Sequence, residues 1–165
     1  MTVKVLILEG LDGTGKTTTA SNLIKMSTFE LPIHYLYFPK LENDQTTIDY
    51  FYEITNSFKY LKGVIIMDRS ILSTFSYGLM SITLLESFKI VYEYDPIIIY
   101  FNEIYDNTKL PLDYERIINR YKHGIEYLSN KLKIPVISTN AKTFLKTIDS
   151  LEKLKELFKS KRLPL

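Results

Sequence analysis

The sequence predicts a three-layer α/β/α sandwich around a five-stranded parallel sheet. Three observations point there: five short runs of aliphatic and β-branched residues, a helical pattern after each, and a length of 165 residues, which at about 150 residues per domain predicts one domain over 1–165. Strands that alternate with helices pair in parallel, because parallel neighbours cannot be joined by tight hairpins. The composition agrees: 45% apolar and 24% charged residues match soluble globular chains and exclude disordered or fibrous architectures.

The first strand is Val3-Lys4-Val5-Leu6-Ile7-Leu8, an almost unbroken apolar run of the kind buried on both faces of a parallel sheet; it ends at Glu9-Gly10. A glycine-rich turn leads into a helix over 17–26, with Ala20, Leu23 and Ile24 on one side. Ile33-His34-Tyr35-Leu36-Tyr37 forms the second strand, and a helix follows from about 45 to 61, capped by Asn43 or Asp44. Val64-Ile65-Ile66-Met67 is the third strand, followed by helical segments over 70–77 and 82–92, with Gly78 and Ser81 as break and cap. The fourth strand covers 96–101, and a polar stretch over 102–113 precedes a helix over 114–132. Residues 135–138 make the fifth strand, and a last helix runs from about 143 to 159. Its stripe of Phe144, Ile148, Leu151, Leu154 and Phe158 faces the core. Ligands of such sheets bind beyond the carboxyl ends of the strands, so the segments just after each strand are the functional candidates.

Charge and composition narrow the function. With 21 basic and 19 acidic side chains the net charge is +2, so no nucleic-acid partner is expected from the overall field. The absence of cysteine removes disulfides, thiolate metal sites and cysteine nucleophiles. No apolar stretch approaches the roughly 18 residues of a membrane span, and Met1-Thr2-Val3-Lys4 runs into a strand rather than a signal segment. No membrane partner is therefore expected, and the expected location is cytoplasmic.

Gly10-Leu11-Asp12-Gly13-Thr14-Gly15-Lys16-Thr17 fits G-x-x-x-x-G-K-[ST] and lies between a buried strand and a helix, so the expected fold is of the P-loop kinase type. Glycines let successive backbone N–H groups turn inward around phosphates, and the helix N-terminus adds partial positive charge. Lys16 would reach the β- and γ-phosphates of ATP, and the Thr17 hydroxyl would ligate Mg²⁺. Asp68, at the end of the third strand, is a second candidate ligand for Mg²⁺ and also a candidate helix cap. Arg69 would span donor and acceptor phosphates or make a surface ion pair. A GTPase would need an N-K-x-D motif, and Asn130-Lys131-Leu132-Lys133 lacks the aspartate. A phosphotransferase acting on a small molecule remains.

Glu9-Gly10-Leu11-Asp12-Gly13-Thr14-Gly15-Lys16-Thr17-Thr18, Phe38-Pro39, and Asp68-Arg69-Ser70 with Ser73-Thr74-Phe75-Ser76-Tyr77 occur in the order of the thymidylate kinase motifs, and over about residues 3–80 the chain resembles that family of nucleoside monophosphate kinases. The resemblance implies phosphorylation of dTMP to dTDP by ATP and Mg²⁺, with residues 10–18 as the nucleotide cradle. It implies that Phe38 stacks on thymine, that Arg69 and Lys40 hold the acceptor phosphate, and that Ser73 and Thr74 lie by the base edge. Tyr77 would crowd a ribose 2′-hydroxyl, Asp12 would take the 3′-hydroxyl, and Glu9 would sit beside the reacting phosphates. A homodimer is implied as well, and the aromatic run over 50–60 would bury in the core or form its surface.

The chain also departs from the family pattern. Leu41 stands where an arginine usually follows F-P, and residues 56–59 lack the base-reading arginine. The lid near 102–113 is short, with Lys109 as its only cation. Arg116 and Arg120 would either swing toward the phosphates or form ion pairs along their helix. A kinase without a lid arginine is expected to be slow, since such a group contributes roughly 10³-fold or more. The third strand's Asp-Arg-Ser ending is also similar to deoxynucleoside kinases, which phosphorylate a 5′-hydroxyl. A nucleotide-binding module with little catalysis is the remaining alternative. His34 and His123 have no partners at metal-ligand spacing and receive no role.

Overall fold

The fourth residue begins a central strand because Lys4–Glu9 (β1) is apolar on both faces and so needs protein on both sides. The computed structural model, which describes residues 2–164, supplies it; positions 1 and 165 of the expected domain lie outside the described residues. Odd residues Val3, Val5 and Ile7 enter one apolar cluster while Leu6 and Leu8 enter the other, the period-two alternation of a strand between two layers. Parallel partners flank β1: Val64–Asp68 (β3) on one side and Ile97–Phe101 (β4) on the other. Ile33–Tyr37 (β2) and Val136–Thr139 (β5) form the edges, giving a five-stranded parallel sheet of order β2-β3-β1-β4-β5. The edge strands are only half-buried, which is why β2 alternates tyrosines with aliphatic residues.

One face of the sheet is covered by Lys16–Ile24 (α1), and the other by Asp44–Ser57 (α2) and Ile71–Tyr77 (α3). Tyr114–Glu126 (α4) packs with α3, while Ala141–Thr147 (α5) and Leu151–Ser160 (α6) pack on the α1 side. The expected three layers are thus present. Asn43, not Asp44, caps α2, accepting from the Thr46 N–H at 2.9 Å. Of the aromatic run over 50–60, Phe51 and Phe58 are buried and Tyr52 and Tyr60 are exposed.

Three helical expectations need correction. The 82–92 segment is a 3₁₀ helix, Ile82–Tyr94: four of its five buried residues, Leu85, Phe88, Val91 and Tyr94, recur every third position, which suits three residues per turn. The last helix is two helices: Ile148 leaves helical geometry at ψ 77°, and the Ser150 side chain starts α6 by accepting from the Lys153 N–H at 3.4 Å. The expected apolar stripe survives the break, since Phe144, Ile148, Leu154 and Phe158 share one buried cluster. The helix expected over 114–132 ends its α-helical part at Glu126 and closes with a π-turn over Tyr127–Lys131.

β1 is followed by α1 on one face, whereas its neighbour β3 is followed by α3 on the other. Adjacent strands whose chains depart to opposite faces leave a crevice between their carboxyl ends. Residues 9–17 and 68–70 border that crevice.

Candidate active site

At the crevice, Gly13 and Gly15 have φ of +83° and +90°, a region that side-chain-bearing residues rarely adopt. A Cβ at Gly13 would lie 2.4 Å from the Asp106 carbonyl, and one at Gly15 would lie 2.8 Å from the Ala141 Cβ. Glycine is therefore required by backbone conformation and by close approach together. The loop folds round the Lys16 ammonium, which donates to the carbonyls of Gly10 at 2.9 Å and Leu11 at 2.7 Å, with the Thr14 hydroxyl at 3.4 Å. Burial, aided by the nearby Arg69 charge, lowers Lys16 to about 8, against the raising influence of Glu9, Asp68 and Asp12.

Asp68 is nearly fully buried at the end of β3, where its carboxylate accepts from the Thr17 hydroxyl at 3.1 Å and from the Tyr35 hydroxyl at 2.8 Å. Burial and this carboxylate together raise the Tyr35 phenol well above its ordinary range, so it remains a donor. The helix-cap alternative for Asp68 does not hold: Ser70 caps α3, accepting from the Leu72 N–H at 3.1 Å. A hydroxyl and a carboxylate at the mouth of a phosphate loop are hard oxygen donors that fit Mg²⁺ shared with nucleotide phosphates. Among the described residues no group of three or more His, Cys, Asp or Glu could form a separate metal cage.

Arg69 has a left-handed backbone, φ 75°, and its N–H donates to the Leu8 carbonyl at 2.9 Å, which turns its side chain back across the loop. Its guanidinium pairs with Asp12, donates to the Ser73 hydroxyl at 3.1 Å and the Gly10 carbonyl at 3.4 Å, and lies 5.1 Å from the centre of the Tyr77 ring. Tyr77 in turn accepts the Asp12 N–H at 3.2 Å.

Beside these groups opens a cavity of about 550 Å³ whose lining includes Asp12, Tyr37, Phe38, Lys40, Glu42, Arg69, Ser73, Thr74, Tyr77, Gly78 and Met80. It gathers every residue that the family resemblance assigns to the acceptor. Two of them differ from expectation in detail. Phe38 is 1% exposed and packs edge-on against Tyr50 and Phe51, centroids 5.4 and 5.9 Å away, so it offers the cavity little of its ring. The Ser73 hydroxyl is turned toward Glu9, Arg69 and Tyr121, whereas Thr74 lines the cavity.

Glu9 does not reach the cavity. Its carboxylate is fully buried and accepts from Ser70, Ser73 and Tyr121. Burial raises its pKa, and those three hydroxyls and Arg69 only partly offset this. Tyr121 was not singled out in the sequence, although Ile117, Tyr121, Gly124 and Leu128 lie at helical spacing on a buried face, where a phenol requires a partner. Tyr35 carried no local signal.

The segment expected to be a lid touches the phosphate loop: the N–H groups of Tyr105 and Asp106 both donate to the Gly13 carbonyl, at 2.8 and 3.3 Å, and the Tyr105 hydroxyl donates to Asn140 at 3.2 Å. Arg116 and Arg120, candidates to swing toward the phosphates, are held elsewhere. Arg116 pairs with Asp113 and donates to the Tyr77 and Gly78 carbonyls at 3.0 and 3.2 Å. Arg120 donates to the carbonyls of Phe75 at 2.8 Å and Met80 at 2.7 Å and lies 4.2 Å from the centre of the Phe75 ring. Both secure the carbonyls at and beyond the C-terminus of α3, which have no helical partner of their own.

Sheet order, phosphate loop and facing aspartate together define the fold of P-loop kinases. Solved structures with this fold include the Bacillus subtilis YorR protein in complex with phosphorylated GDP, at TM-score 0.63 and 18% identity over 95% of this chain and 98% of that one. Polyphosphate kinase 2 of Arthrobacter aurescens TC1 superimposes at 0.63 with 14% identity, over 99% of this chain and 70% of that one. The thymidylate kinase of Ehrlichia chaffeensis gives 0.55 and 18% identity over 95% and 100%. The resemblance to thymidylate kinase extends to sequence: 73 residues are 47% identical to a protein of Acidianus bottle-shaped virus (isolate Italy/Pozzuoli) named "Putative thymidylate kinase". That match covers 44% of this chain and 46% of the viral protein, so the chain matches about half of its relative's length. No protein-family model matches the chain. Among the described residues, no helix is long and apolar enough to cross a membrane.

Proposed function

We propose that this chain transfers the γ-phosphoryl group of ATP to the 5′-phosphate of dTMP, forming ADP and dTDP with Mg²⁺. The observation that carries the reading is the position of the cavity: its Arg69 wall is the residue next to Asp68, which faces the Thr17 hydroxyl at the start of α1. The amides of Gly10, Leu11, Asp12, Gly13, Thr14, Gly15, Lys16, Thr17 and Thr18 would cradle the donor phosphates. Lys16 would exchange two neutral carbonyls for the β- and γ-phosphates, a stronger partner for an ammonium. Thr17 and Asp68 would hold Mg²⁺, which when bound supplies charge neutralisation at the β- and γ-oxygens. Arg69 and Lys40 would bind the acceptor phosphate, with Asp12, Phe38, Thr74 and Tyr77 around the nucleoside. Slow turnover follows from a lid without arginine, since Arg116 and Arg120 are tied to α3. A homodimer would draw on the exposed Tyr52 and Tyr60 of the 50–60 region.

A second reading, transfer to the 5′-hydroxyl of a deoxynucleoside, is favoured by the cavity's charge. Lys40 and Arg69 face Asp12 and Glu42, and Asp12 already pairs with Arg69, which leaves little spare positive charge for a dianionic acceptor. The test is ADP release from ATP with dTMP, dUMP, the other monophosphates and the free deoxynucleosides. Release with dTMP is expected. Release with thymidine alone selects the second reading, and nucleotide binding without release under any condition leaves a binding module.

A further inference from the structure

Behind the guanidinium of Arg69 lies a buried polar cluster in which Tyr121 has no role assigned to it. Glu9, Ser70 and Tyr121 are fully buried there, with Ser73 nearly so. We propose that Tyr121 is a positioning residue that holds Arg69 at the reacting centre through Ser73 and Glu9; the proposal rests on the phosphotransfer reading above.

The hydrogen inventory supports the direction of that link. Ser73 has one hydroxyl proton and gives it to Glu9, so it meets Arg69 as an acceptor, at 3.1 Å. The Tyr121 hydroxyl donates to the same Glu9 oxygen, Oε2, at 3.0 Å and lies 3.0 Å from the Ser73 oxygen. Both protons thus converge on one carboxylate oxygen, and the Ser73 lone pair stays aimed at the guanidinium. Tyr121 is also 3.3 Å from the Gly10 carbonyl, the group that Arg69 reaches at 3.4 Å from the other side. One phenol therefore touches two groups that Arg69 donates to, the Ser73 oxygen and the Gly10 carbonyl, together with the Glu9 carboxylate that takes the Ser73 proton. Its ring is locked against Tyr100 and Tyr77, with centroids 5.2 and 6.3 Å away. Tyr121 sits in α4, the helix that the lid segment leads into, so the contact links that helix to the floor of the site.

The test is steady-state kinetics of Tyr121→Phe, Ser73→Ala and the double variant with ATP and the acceptor found active. Tyr121→Phe keeps the ring and loses only the hydroxyl. Its kcat is expected to fall about tenfold, as small displacements of a catalytic group do, with KM for ATP within about twofold of wild type. Because both residues act through one link, the double variant is expected to fall no further than the weaker single variant. A kcat for Tyr121→Phe within twofold of wild type overturns the proposal, and so do losses that multiply in the double variant, the mark of two independent structural defects. Should Tyr121→Phe fail to fold, Ser73→Ala alone must show the kcat loss at unchanged KM for ATP, and its failure to do so overturns the proposal. A wild-type protein that releases no ADP with any acceptor overturns the phosphotransfer reading itself, and the proposal with it. An active wild type beside an unaltered variant overturns only the role of Tyr121.

Discussion

Replacing Lys16 by methionine separates what its charge does for stability from what it does for phosphates. The ammonium is held near 8 instead of 10.5, a difference of 2.5 at about 1.4 kcal/mol each, so its charged form disfavours the folded state by roughly 3 kcal/mol at neutral pH. A thioether side chain would escape that penalty but would leave the Gly10 and Leu11 carbonyls without a donor, at about 1–3 kcal/mol apiece. At pH 7 the two contributions largely offset, so the variant is expected within about 3 kcal/mol of wild type. The balance shifts with pH. Between about 8 and 10.5 the unfolded chain binds the Lys16 proton and the folded one does not, so wild-type stability rises relative to the variant, by roughly 2–3 kcal/mol from pH 7 to pH 10. Phosphoryl transfer should fall on the order of 10²–10³-fold or more, as when one preorganised donor is removed from a reacting oxygen. Paired thermal unfolding curves at pH 7 and pH 10, with an ADP-release assay, read all three quantities. A stability difference between wild type and Lys16→Met that does not move with pH would refute the burial argument; retained turnover would refute the phosphate role.

Two further substitutions test the lid and its arginines. Arg120→Ala should lower stability by about 2–4 kcal/mol in denaturant unfolding, because it strands the Phe75 and Met80 carbonyls and uncovers the Phe75 ring, while kcat stays within about threefold; a hundredfold loss of kcat would make it a lid arginine after all. Gly13→Ala should destabilise by about 1–3 kcal/mol and loosen the lid, because its methyl would meet the Asp106 carbonyl at a positive φ. Faster amide exchange at Tyr105 and Asp106 would report it, and unchanged protection there would show that the lid does not depend on the close approach.

The sequence alone determined the local chemistry of this protein. Five apolar runs alternating with helices dictate a parallel sheet, and a glycine-rich turn between a buried strand and a helix suits backbone amides turned toward a phosphate; both follow from residues adjacent in the chain. The 3₁₀ helix over Ile82–Tyr94 was legible too, in a repeat of three, but a window that also tolerates 3.6 cannot separate the two before the neighbouring layer is known. What only the tertiary structure decided are contacts between residues far apart. Arg116 and Arg120 read in the sequence as cations that either swing toward the phosphates or pair along their helix; Arg116 does pair with Asp113, but the carbonyls that hold both arginines lie 38 to 45 positions away. Tyr121 meets Glu9 across 112 residues and Tyr35 meets Asp68 across 33. A buried hydroxyl or guanidinium must find a partner, and sequence states that need without naming the partner, because the choice is made when helices and strands pack against one another.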